Sequence, residues 1–170
     1  MFHHFHDDVK HIKSQGSFNK DKFYKLLKKI GPKNILPPDE YLYKVQNKKI
    51  KSTETCITFD DGIKSQYDIA FPILKELKLS AFFFIYTSIF EKKINFLELN
   101  RYFREVYFKN INEYYNEFYR ILKKNYDFKN INNIVNKSKK NLYKQKKIYN
   151  FYTLSDIKFR FIRDNILDEQ

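Results

Sequence analysis

The chain has 170 residues, 42% of them hydrophobic and 19% aromatic, which is enough to bury a core and excludes disorder throughout. Its formal net charge is +13, but 28 of the 33 basic residues are Lys and only five are Arg. Arg is the residue expected for bidentate contacts to phosphate and guanine, so the basicity reads as a compositional bias toward residues with AT-rich codons, with no specific nucleic-acid partner.

The elements follow in chain order. Phe2 to His6 is a short strand candidate. Asn19 to Ile30 carries Phe23, Leu26, Leu27 and Ile30 at helical spacing, with Ser17 or Asn19 as N-cap and Gly31-Pro32 as the stop. Pro37-Pro38-Asp39-Glu40 opens a short helix through Tyr41, Leu42 and Val45. Thr55 to Phe59 is apolar and β-branched and runs into an Asp60-Asp61-Gly62 turn. Gln66 to Leu79 places Ile69, Ala70, Ile73, Leu74 and Leu77 on one helical face, and Pro72 kinks that helix or marks its first turn. Ala81 to Tyr86 is apolar throughout, as expected of a strand covered on both faces. Strand, helix, strand in this order predicts a parallel βαβ unit.

Past Phe90 the pattern becomes helical. Phe96, Leu99, Phe103 and Val106 make one amphipathic helix, and Ile111, Tyr114, Tyr115, Phe118, Ile121 and Leu122 make another. Lys129 to Ile148 holds seven Lys and no acid, which fits a solvated helix or a mobile connector. A last amphipathic stretch runs from Leu154 to Ile166, before the polar Asp168-Glu169-Gln170. The expected division is therefore an α/β part over residues 1–90 and an α-helical, Lys-rich part over residues 91–170. Cys56 is the one cysteine, which excludes an internal disulfide framework and fits a reducing compartment. The sequence opens without a basic-then-apolar leader, and its longest nearly apolar run, Ala81 to Phe90, is shorter than the ~20 residues that span a bilayer. A cytoplasmic protein without a membrane span is expected.

Thr58-Phe59-Asp60-Asp61-Gly62 is the sharpest motif, and Gly62 is one of only three glycines. Taken alone, an Asp-Asp-Gly turn does no more than end a strand. Its flanks add Ala-Phe-Pro-Ile-Leu over Ala70 to Leu74 and Ser-Ala-Phe-Phe-Phe over Ser80 to Phe84. Together these resemble the opening of the NodB-homology domain of polysaccharide deacetylases (carbohydrate esterase family four). In that family a strand ends in Thr-Phe-Asp-Asp-Gly, a helix carries Pro-Ile-Leu, and the next strand reads Ala-Thr-Phe-Phe. Phe82 stands where that family has Thr, at a packing position. The His-rich start and Ser14-Gln15-Gly16-Ser17 resemble branches associated with cell-surface saccharides.

The resemblance covers about residues 1–90 and implies a partial NodB-type (β/α) barrel, with residues 91–170 as a helical, Lys-rich insertion or subdomain. It implies metal-dependent hydrolysis of N-acetyl groups on a saccharide, with Asp60 as general base and Asp61 as ligand to a divalent metal, with zinc the expected ion. The chemistry suits the residues: bound metal lowers the pKa of water and polarises the acetamide carbonyl. Barrel folds place such groups at the C-terminal ends of strands.

The family's second motif, His-Ser/Thr-x-x-His-Pro, has no counterpart here. All four histidines, His3, His4, His6 and His11, lie in the first eleven residues, and no later Asp–His pair or leaving-group acid is identifiable. His4 and His6 share one face of a strand and are candidate ligands in place of the missing pair; the alternative is that one histidine lines the cleft and the others are surface residues. A closed barrel usually needs 200 residues or more, so the expectation is an N-terminal fragment, a split-gene product or a decayed relative. Such a chain is inactive until a downstream or partner polypeptide supplies the histidines. A second reading, of another class, is a non-catalytic glycan-binding or assembly subunit that uses the aromatic, Lys-rich helical half.

Overall fold

A computed structural model describes residues 1–150 and 152–167. The fold is mixed α/β, with two short parallel strands and eight α-helices among the described residues. It divides into two compact units, Met1–Glu105 and Val106–Gln170. The change of composition at Phe90 therefore precedes the structural boundary by one helix.

In the first unit, α1 (Lys20–Ile30) is capped by Asn19, whose side chain accepts from the Lys22 N–H. It ends at Gly31, where φ of +87° would strain any residue bearing a Cβ. α2 (Pro38–Gln46) starts on its proline, as the Pro-Pro-Asp-Glu turn predicts. β1 (Ile57–Asp60) and β2 (Ala81–Phe84) pair in parallel, with Ile57 opposite Ala81 and Asp60 opposite Phe84. Between them a π-helical turn, Gln66–Ala70, feeds α3 (Phe71–Glu76), and Pro72 lies in the first turn of α3. The proline thus marks a start, where its missing N–H costs no hydrogen bond.

Ile57 and Phe59 face the core with Phe5, Phe23, Leu27, Ile69, Ala70, Ile73 and Leu74. Phe2, Phe5, Phe23 and Phe59 have ring centroids 5.0–6.2 Å apart in tilted and edge-on pairs. The start of the chain lies beside β1, with the Phe2 N–H bonded to the Thr58 carbonyl and the Asp60 N–H bonded to the Phe2 carbonyl. It forms isolated bridges, Phe2 with Phe59 and Phe5 with Phe18, in place of the continuous strand expected.

Two expectations for this unit meet a different outcome. β2 was expected to be covered on both faces, but Phe83 and Phe84 are exposed, and Phe83 is held by stacking on Phe59 at 4.7 Å. α4 (Phe96–Tyr107) forms where the periodicity places it, yet it buries none of its residues. The described sheet has two strands, and no closed barrel is present among the described residues.

The second unit is helical: α5 (Ile111–Asn125), α6 (Phe128–Lys137), α7 (Lys139–Ile148) and α8 (Leu154–Asn165). Leu122, Ile131, Val135, Leu142, Ile157 and Ile162 form its core. The Lys-rich stretch is therefore helical on either side of Ser138, with Ile131, Val135 and Leu142 turned inward. Asp156 is buried and fully used: its carboxylate accepts from the Thr153 N–H and hydroxyl at 2.7 Å each and from the Tyr115 hydroxyl. Thr153 and Asp156 together make the capping box of α8. Asp168, Glu169 and Gln170 lie outside the described residues. No described helix is long and apolar enough to cross a membrane.

Candidate functional site

Asp60 is the last residue of β1, and its carboxylate alternates with the buried Phe59. Asp61 follows with φ of +73° and Gly62 with φ of +60°. Strict alternation would turn neighbouring side chains to opposite faces. The left-handed conformation at Asp61 re-aims it, so that both carboxylates reach one imidazole. His3 Nε2 lies 3.3 Å from Asp60 Oδ2 and 4.0 Å from Asp61 Oδ2. A Cβ at Gly62 would meet Ile85 at 3.6 Å, so the glycine is required there by its φ more than by space.

Gln66 holds this arrangement together. Its buried side-chain amide donates to the Asp60 carbonyl at 2.6 Å and to the His3 carbonyl at 2.8 Å, stapling the start of the chain to the end of β1. Its Oε1 is buried without a hydrogen-bond partner. The adjacent Ser65 is also buried, and its hydroxyl accepts from the Phe5 N–H at 3.3 Å. Neither residue was singled out in the sequence, where they follow the Asp-Asp-Gly turn as an ordinary helix start.

The two candidate histidines go elsewhere. His4 Nε2 meets Glu98 Oε1 at 3.3 Å, and Arg101 bonds the other oxygen of Glu98 through Nε at 3.0 Å and a terminal nitrogen at 2.7 Å. Burial would raise the Glu98 carboxyl, but the hydrogen bonds from His4 and Arg101 outweigh it and hold it at about 2. His6 is buried, with Nδ1 at 2.8 Å from Ser17 Oγ. The same hydroxyl donates to the Ser14 carbonyl at 2.7 Å and accepts from the Ser14 N–H at 3.0 Å. His11 pairs with Asp68 at 2.8 Å in a separate hollow beside Asp7 and Lys64. Asp60 and Asp61 with His3 form one polar group and His4 with Glu98 and Arg101 another, with the His3 and His4 ring centroids 6.1 Å apart.

As a metal site the set is short. A carboxylate and an imidazole about 4 Å apart can share one ion with metal–ligand distances of about 2 Å. However, among the described residues no three His, Cys, Asp or Glu side chains are grouped to hold a metal. The described residues therefore do not make a complete metal centre. Comparisons with protein-family models, with curated proteins and with solved structures returned no match.

Proposed function

We propose that this chain is the metal-site half of a polysaccharide deacetylase of NodB type, within a partial (β/α) barrel, acting on N-acetyl groups of a saccharide. The observation that carries this reading is the pair Asp60 and Asp61 at the C-terminal end of a parallel strand, both within reach of His3. Hydrolysis of an acetamide requires a base for the attacking water and an acid for the departing amine. Asp60 takes the first role, oriented by the Gln66 clamp on its own carbonyl. Asp61 and His3 are the ligands this chain offers to a divalent metal. The remaining ligands and the acid come from another polypeptide segment.

The test is acetate release from N-acetylated oligosaccharides. The chain alone should release none, because a missing acid or base typically costs ~10²–10⁴-fold. Release should appear when a segment carrying the His-Ser/Thr-x-x-His-Pro motif is supplied, covalently or in trans, and Asp60→Asn should abolish it. Release that survives Asp60→Asn overturns the reading.

The rival reading, a glycan-binding or assembly subunit, draws support from the apolar surface of the first unit. Phe83, Phe84, Phe90, Phe96 and Leu97 are all exposed, and large apolar side chains left exposed are available to a partner.

A further inference from the structure

Within the second unit, α7 carries Lys140, Lys144 and Lys147, all exposed, and contains no acidic residue. At 100° per residue these three fall within one ~60° arc. Leu142, the buried residue of α7, lies on the opposite side. The packing that fixes α7 through Leu142 therefore presents the three ammonium groups outward as one row. Among the described residues no carboxylate forms an ion pair with any of them, whereas Arg101 and Arg120 each have one and Lys44 has two. They line a hollow of ≈ 790 Å³ with Lys137 and the half-exposed ring of Tyr143.

We propose that this face of α7 is a docking site for a linear anionic polysaccharide. The proposal rests on the saccharide reading above and gives the substrate its charge. With 1.5 Å of rise per residue, the row steps by roughly 6 Å and then 4.5 Å along the helix, near the length of one sugar unit. Lys offers point charges that suit a carboxylate on each unit, and Tyr143 offers a flat apolar face against which a sugar ring packs.

The test is calorimetric titration of the full chain with polygalacturonate, with neutral dextran of matched length, and with a single-stranded oligonucleotide. Polygalacturonate should bind, more weakly as salt is raised. The triple variant Lys140→Gln/Lys144→Gln/Lys147→Gln should weaken binding roughly tenfold, from three exposed ion pairs. Removing three exposed lysines of α1 (Lys22→Gln/Lys25→Gln/Lys29→Gln) should change it less than about twofold. Equal loss in both triple variants would reduce the effect to net charge and overturn the site. Dextran or oligonucleotide binding as tightly as polygalacturonate would overturn the ligand class. Polygalacturonate binding in the α7 triple variant tests this site, and acetate release tests the deacetylase reading, so the two failures appear in different variants and different signals.

Discussion

The two units handle polar groups in opposite ways. In the second, Asp156 is buried at the head of α8 with every contact directed inward, and Tyr115 and Thr153 satisfy it within the helical core. In the first, Asp60, Asp61 and His3 stay partly open at the end of β1, and the buried groups around them, Gln66 and Ser65, are spent on holding backbone in place. The arrangement in the second unit stabilises a fold. The one in the first unit leaves carboxylates and an imidazole accessible at a fixed geometry, as a candidate site requires. Within the first unit the aromatic rings divide as well: Phe59 is buried against Phe2, Phe5 and Phe23, while Phe83 and Phe84 on the neighbouring strand are exposed.

That contrast can be broken most forcefully in the cores. Phe59→Ala removes a fully buried ring at the meeting point of β1, α1 and the start of the chain. It should cost about 3–5 kcal/mol in urea unfolding followed by signals of the first unit. Asp156→Ala should cost less, about 2–3 kcal/mol in the second unit, because it leaves the Tyr115 hydroxyl and the Thr153 N–H without their acceptor and removes a cap. If Asp156→Ala left the second unit's stability unchanged, the view of that carboxylate as purely structural would fail.

The smallest effect sharpens the comparison at the site. Glu98 has its carboxyl held at about 2, below its ordinary 4.5, so the folded state favours the ionised form. The stabilisation linked to that shift is complete above the ordinary value and is lost as pH falls toward 2. A carbon-detected NMR titration should place the Glu98 midpoint near 2, and Arg101→Gln should move it upward. A midpoint near 4.5 in the parent chain would contradict the pairing of Glu98 with His4 and Arg101.

Much of this was legible in the residues. The caps of α1, the proline start of α2, the strand–helix–strand order and the strand-ending Asp60-Asp61 all follow from local rules that the structure obeys. The histidines were harder, because the alternation argument assumes a continuous strand. Here the chain bridges Phe59 at Phe2 and Phe18 at Phe5, and both Phe2 and Phe5 pack against the same core although they are three residues apart. That breaks the period of two, so His3 goes to the carboxylates while His4 and His6 take Glu98 and Ser17. Glu98 itself was unreadable as a site residue: it sits 38 positions beyond Asp60, in a helix whose pattern speaks only of amphipathicity.

The most direct test of the site is zinc titration of the intact chain by calorimetry. The account predicts weak one-to-one binding that falls about tenfold in His3→Ala and in Asp61→Asn, because each removes one of the two ligands assigned to the metal, while His4→Ala leaves it within about twofold. Tight binding that survives His3→Ala and disappears in His4→Ala or His6→Asn would contradict it and place the metal on the other two histidines.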